Sequence, residues 1–237
     1  MNVIITGASK GIGKAIAAGF AAEGADLYLC ARHETALNDT VAGLRAMYPG
    51  SNIRAKSVDL SQKSAAIEFG NWCLQSAVPD ILVNNAGQFI PGSICTEADG
   101  NLEAMMAVNL YSAYHLTRTL LPMMIASKPA GGHSRHIFNI CSIASLHAYN
   151  NGGGYSISKS ALMGFSKNLR EELKPHSIKV TSVYPGAVLT HSWGDFDNSA
   201  NRIMEAGDVA KMVMAASKLS LQAVVEEIVL RPLLGDL

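Results

Sequence analysis

The sequence predicts an α/β fold: a doubly wound parallel sheet of seven strands with helices on both faces. Three observations predict it. Short β-branched apolar runs alternate with longer stretches of helical character along the chain. The first such run, Val3-Ile4-Ile5-Thr6, passes directly into a glycine-rich turn and then a helix. No linker, repeat or low-complexity segment divides the 237 residues, a length that suits one compact domain over 1–237.

The elements follow in order. Residues 3–6 read as a buried strand, 13–22 as a helix with Ile16 and Phe20 on one face, and 27–30 as the second strand. Residues 34–47 form a helix ended by Pro49-Gly50, 53–58 the third strand, and 62–76 the next helix. Ile81-Leu82-Val83-Asn84 is the fourth strand. A long helix covers 102–125, with Pro122 in its last turns. The fifth strand is 136–140, the following helix runs 155–174 to Pro175, and the sixth strand is 178–184. A helix at 208–217 and a strand at 227–230 complete the chain. Gly-Gly-His at 131–133 and the triple glycine at 152–154 read as loop punctuation.

Composition excludes several classes. Lys plus Arg and Asp plus Glu balance at 19 each, so there is no global basic field to hold nucleic acid or an anionic membrane. Cys30, Cys73, Cys95 and Cys141 are scattered without a C-x-x-C pair, which argues against zinc and a disulfide framework and fits a reducing cytosol. The chain begins in a strand-like run without a signal-peptide pattern. No apolar run approaches the roughly 20 residues of a membrane span. His133 and His136 have metal-like spacing, but His136 opens a strand and no third ligand is evident, so no metal is expected.

The turn Thr6-Gly7-Ala8-Ser9-Lys10-Gly11-Ile12-Gly13 joins the first strand to the first helix. Glycines there permit a tight turn and let backbone N–H groups approach a pyrophosphate at the positive end of the helix. The alternative is a tight connection with no ligand. At the end of the second strand, Cys30-Ala31-Arg32-His33 lacks the carboxylate that would bind an adenosine ribose. Arg32 offers a planar fork for a 2′-phosphate, with Lys10 in reach, so NADP(H) is expected over NAD(H). Arg32 as a solvated loop charge is the competing reading. Asp59-Leu60, after the third strand, is placed to meet the adenine, although Asp59 alone reads equally as a helix cap.

Tyr155 and Lys159 stand four apart, on one face of a helix. A phenol beside an ammonium is expected to have a lowered pKa, which suits proton donation near neutral pH.

On these residues, together with Asn84-Asn85-Ala86-Gly87, Asn109, Ser142 and Pro185-Gly186, the chain resembles the short-chain dehydrogenase/reductase family over nearly its whole length. The resemblance implies a Rossmann fold and an NADP(H)-dependent oxidoreductase that reduces a carbonyl to an alcohol. It implies Tyr155 as general acid and Ser142 as the hydroxyl that polarises the carbonyl. Lys159 is implied on the nicotinamide ribose, lowering the Tyr155 pKa, and Asn109 kinking its helix to hold a water behind Lys159. Gly7, Ser9, Lys10, Gly11, Ile12, Gly13, Arg32, Asp59, Leu60, Asn85, Ala86, Gly87, Tyr155, Lys159, Pro185, Gly186, Val188 and Thr190 are the implied cofactor residues. Taken singly, each has a structural alternative: Ser142 as a loop cap, Tyr155 as an aromatic helix start, Lys159 and Asn109 as helix-surface groups. A homodimer or homotetramer is the family default, with the long helices at the interface.

The tail after Val225 and the segment Ser192-Trp193-Gly194 resemble the bacterial sepiapterin-reductase-like branch. Residues 190–206 are expected to form a substrate lid in which Trp193 stacks on a flat heterocycle and Asp195 or Asp197 grips its polar edge. Packing of these residues within their own loop is the alternative. His147, Tyr149 and Asn150 are expected on the opposite wall. A pterin or small α-dicarbonyl is the first substrate expected and a 3-oxoacyl thioester the second. A non-catalytic NADP(H)-binding regulator stands as the alternative class.

Overall fold

The computed structural model describes residues 1–128, 134–190 and 193–236, so His133 and Ser192 lie outside the described residues. The elements alternate as β1 (Asn2–Thr6), α1 (Gly11–Ala22), β2 (Asp26–Ala31), α2 (Glu34–Met47), β3 (Ile53–Ser57), α3 (Lys63–Leu74) and β4 (Ile81–Asn84). Then come α4 (Asn101–Met106), a π-turn (Ala107–Tyr111), α5 (Ser112–Ala126), β5 (Arg135–Ile140), α6 (Gly153–Leu173) and β6 (Ile178–Pro185). A short pair, β7 (Val188–Leu189) and β8 (Met204–Glu205), precedes α7 (Ala206–Ser217) and β9 (Glu227–Leu230).

Seven of these strands form one sheet in the order β3-β2-β1-β4-β5-β6-β9. Every neighbouring pair in it is parallel. The chain winds outward from β1 to β3, then returns to the other side of β1 at β4. Connections at that reversal leave in opposite directions, which opens a crevice beyond the carboxyl ends of β1 and β4.

Strand side chains alternate between two cores, as a period of two requires. Val3, Ile5, Leu27 and Leu29 pack on one face with Ile16 and Phe20 of α1 and Val209 and Val213 of α7. Ile4, Tyr28, Leu82 and Ile137 pack on the other with Phe69 of α3, Leu116 and Leu120 of α5, and Leu169 of α6. Both faces are covered, so β5 and β6 are buried along their whole length.

The structure departs from the sequence expectations in three places. The helix expected over 102–125 is interrupted by the π-turn around Asn109. The β7–β8 pair carries no sequence signal, because each strand is only two residues long. The triple glycine is loop only at Gly152: α6 begins at Gly153, two residues before Tyr155. Among the described residues, no helix is long and apolar enough to cross a membrane.

Candidate active site

The turn between β1 and α1 opens the crevice. Gly7 and Gly11 sit at φ of +64° and +56°, where a side chain is strained. A Cβ at Gly13 would overlap the Gly7 carbonyl and come within 2.5 Å of Asn85 Nδ2. Asn85 explains the crowding: its amide donates to the Thr6 and Gly7 carbonyls at 2.9 and 3.1 Å, clamping the turn to the end of β4. Thr6 Oγ1 accepts from the backbone of Asn85 and Ala86, both at 2.9 Å. The Ser9 carbonyl is fixed by Thr40 of α2 at 2.8 Å. No side chain caps α1 and its first turn holds no acid. A bare helix N-terminus in a glycine cradle fits a pyrophosphate. The donor set around this crevice therefore fits a dinucleotide.

Ala8 N donates to the Cys30 carbonyl at 3.0 Å, so the turn and the end of β2 lie side by side. Lys10 and Arg32, each two residues further on, emerge exposed at the same edge. Asp59 is exposed and accepts from Ser61 N at 3.1 Å in its own turn; it is not the cap of α3, whose N-cap is Gln62. The Leu60 side chain is buried in the core and offers an incoming base only its backbone.

Ser142 follows β5 directly; its Oγ accepts from Ala144 N at 3.2 Å, capping the short 3₁₀ turn Ile143–Ser145. Its hydroxyl also hydrogen-bonds the Tyr155 phenol, an interaction that favours the ionised form. Lys159 is 4% exposed and donates to the Ile140 carbonyl at 2.8 Å. Burial pushes its pKa down to about 8. Its Nζ stands 6.0 Å from the centre of the Tyr155 ring.

The expected downward shift of Tyr155 is not what this geometry produces. Burial raises the phenol above its ordinary value, and the Ser142 hydrogen bond offsets only part of that rise. The ammonium expected to lower it is drawn to a backbone carbonyl and is itself disfavoured by burial.

Asn109 is fully buried in the π-turn. Its Oδ1 accepts from Gln88 N at 2.7 Å, and its Nδ2 donates to the Gln88 carbonyl at 3.0 Å and to Ser158 Oγ at 2.8 Å. A Cβ on Gly87 would lie 3.3 Å from Asn109 Oδ1 and 3.4 Å from Lys159 Nζ, so these three residues meet. Pro185 ends β6, and Gly186 N donates to the Leu230 carbonyl at 2.7 Å. Val188 is buried. Thr190 faces the glycine turn, its Cγ2 3.1 Å from where a Gly11 Cβ would stand.

The lid residues behave less as expected. Trp193 packs on Phe196 of its own segment, ring centres 5.3 Å apart. Both Asp197 oxygens accept from Ser199, at 2.8 and 3.1 Å. Asp195 and His147 are exposed. Tyr149 lies near Tyr155, and burial raises its pKa to about 12. His136, the strand partner of the metal-like spacing, is buried with Nε2 2.7 Å from Thr181 Oγ1. Among the described residues no three His, Cys, Asp or Glu side chains cluster as metal ligands do.

Sequence reasoning missed three residues here. Phe89 sets its ring edge-on to Tyr155 at 4.9 Å and 78°. Gln88 and Ser158 hold the Asn109 amide. Ser158, adjacent to Lys159, was findable; Phe89 carries no local signal beyond following the Gly87 run.

Comparison with known proteins agrees with this fold. The family described as short chain dehydrogenase matches residues 1–201. A sepiapterin reductase of Chlorobaculum tepidum is 31% identical over 257 residues, covering 99% of this chain and 97% of that protein. An alcohol dehydrogenase from the archaeon Thermococcus sibiricus, solved with 5-hydroxy-NADP, superposes with a TM-score of 0.88 at 26% identity, covering 98% of this chain and 96% of the other. A metagenomic short-chain oxidoreductase solved with NADP gives a TM-score of 0.83 at 32% identity, with the same coverage.

Proposed function

Because the chain belongs to the short-chain dehydrogenase family, we propose that it is an NADPH-dependent reductase of ketones or dicarbonyls, with Tyr155 as the general acid. The carrying observation is the meeting of Ser142, Tyr155 and Lys159 beside a glycine cradle that ends on an uncapped helix. Relatives solved with NADP or an NADP adduct support the cofactor, and Arg32 with Lys10 supplies cations for a 2′-phosphate.

When bound, the reduced nicotinamide supplies the hydride. The chain's own residues do the rest. Ser142, held by Ala144 N–H, turns its O–H from the Tyr155 phenol to the carbonyl oxygen when substrate binds, and polarises it. Tyr155 donates its proton to that oxygen as the alkoxide forms. A phenol raised by burial stays protonated at neutral pH, as an acid in the reducing direction must. Lys159 lies deep enough beside Gly87 to hold ribose hydroxyls, and Asn109 keeps the helix wall behind it fixed.

A pterin or small α-dicarbonyl is the substrate class this reading favours, supported by the sepiapterin reductase relative. The test is NADPH consumption over a panel of sepiapterin, α-dicarbonyls and a 3-oxoacyl thioester. Turnover on the first two is expected, falling by about 10²–10⁴-fold in Tyr155→Phe. A variant with full turnover removes Tyr155 from the mechanism, and preference for the thioester reverses the substrate assignment.

A further inference from the structure

The catalytic helix α6 begins without a cap of its own. Gly152 at its N-cap makes no side-chain hydrogen bond, and its first turn holds no acidic residue. The leading N–H groups of a helix need partners from elsewhere. One comes from far away in sequence: Gly154 N donates to Oε2 of Glu97 at 3.2 Å, across 57 residues. Glu97 is half-buried and belongs to the segment between β4 and α4. A carboxylate there also meets the positive end of the helix dipole.

The glycines make this approach possible. A Cβ at Gly153 would stand 2.5 Å from the Gly92 carbonyl and 3.0 Å from Glu97 Oε2. At Gly154 it would stand 2.9 Å from Met105 Cε, 3.2 Å from Leu102 Cα and 3.2 Å from Glu97 Oε2. Gly92 N adds a second link, donating to the Asn151 carbonyl at 3.1 Å. The same segment carries Phe89, whose ring meets Tyr155 edge-on.

We infer that Glu97 is a positioning residue: its carboxylate, seated on the glycine-lined start of α6, fastens the segment after β4 to the helix turn that presents Tyr155. The segment then holds Tyr155 twice, through the helix backbone at Gly154 and through the ring of Phe89. Glu97 itself touches no reacting atom. The inference rests on Tyr155 being the catalytic acid, and its first test does not require turnover.

That test is hydrogen–deuterium exchange of the unliganded full chain, read over 152–160. Glu97→Ala speeds exchange there by about tenfold, the loss of one charge-assisted hydrogen bond. Glu97→Gln, whose amide carbonyl still accepts but without the charge, restores part of that protection and falls between Ala and the parent. Steady-state kinetics with NADPH then show kcat falling in Glu97→Ala with NADPH affinity unchanged, and recovering in part in Glu97→Gln. Should Glu97→Ala not fold, Glu97→Asp takes its place, since the shorter side chain withdraws the acceptor. Unchanged exchange at 152–160 overturns the clamp, as does a Gln variant that behaves like Ala. Altered exchange with unaltered kcat keeps the clamp but overturns its role in placing Tyr155. An active parent is the check on the functional reading; without turnover, that reading fails while the exchange result still stands.

Discussion

Replacing Lys159 by Met is expected to make the unliganded protein more stable and inactive at once. The ammonium is 4% exposed, holds one backbone carbonyl, and titrates at about 8 instead of 10.5 because burial disfavours its charge. A shift of about 2.5 units at roughly 1.4 kcal/mol each places the cost of the buried charge at about 3 kcal/mol. Methionine fills similar space without charge but surrenders the bond to Ile140, worth about 1.5 kcal/mol for a charged donor. The net gain at pH 7 is about 1.5 kcal/mol, or about 3–6 °C in Tm for a chain of this size. The sign with pH follows from which state binds more protons. Below pH 8 lysine is charged in both states and the full penalty applies. Between about 8 and 10.5 the folded state loses its proton first, the unfolded state binds more, and the parent gains stability as pH rises. The gap between variant and parent therefore closes by about pH 10. Calorimetry of both unliganded chains at pH 7 and pH 10, with NADPH turnover beside it, reads all of this. A variant no more stable than the parent at pH 7, or a gap independent of pH, refutes the reasoning.

Three further outcomes are expected. Arg32→Ala raises the Kd for NADPH by about 10–100-fold and leaves NADH nearly unchanged, through loss of a charge-assisted phosphate contact; fluorescence titration reads it, and equal losses for both dinucleotides remove Arg32 from the 2′-phosphate. Gly13→Ala forces a methyl into the Gly7 carbonyl and Asn85 amide, so it abolishes dinucleotide binding and costs about 1–3 kcal/mol in denaturant melts. Phe89→Ala removes the edge-on partner of Tyr155, an interaction of about 0.5–1.5 kcal/mol, and lowers kcat/KM by up to about tenfold without altering NADPH affinity; an unchanged kcat/KM assigns Phe89 to packing alone.

The sheet was legible because its signal is local. Apolar runs such as Val3 to Thr6 and Ile81 to Asn84 are buried on both faces, and each strand's own composition reports that. The glycine turn was legible for the same reason: positive φ and close backbone approach demand glycine at those places. The triple glycine was misread by that very rule. Gly152 does end the loop, but Gly153 and Gly154 open the helix and admit Glu97, Leu102 and Met105, which no residue nearby in sequence announces. Trp193 and Asp197 make contacts within their own segment, to Phe196 and Ser199 a few positions away, which residue type alone does not announce. The π-turn at Asn109 has a side chain that serves two partners, Gln88 and Ser158, from elements far apart in the chain.

Spacing predicted which groups meet but gave the wrong direction for the phenol, and the reason is instructive. A Tyr and a Lys four apart suggest mutual stabilisation of phenolate and ammonium, as they would on an exposed helix face. Here both groups are buried, and burial acts against each charge separately. The phenol rises and the ammonium falls, so at neutral pH Tyr155 keeps its proton while Lys159 stands near the edge of losing its own. Ser142 opposes the rise from the carbonyl side, through a hydrogen bond to the same oxygen that is to give up its proton. A protonated phenol in the unliganded site is what the proposed reduction asks of Tyr155. Oxidation of an alcohol demands the phenolate, and Lys159 is the cation beside Tyr155, 6.0 Å from its ring centre and held at the Ile140 carbonyl.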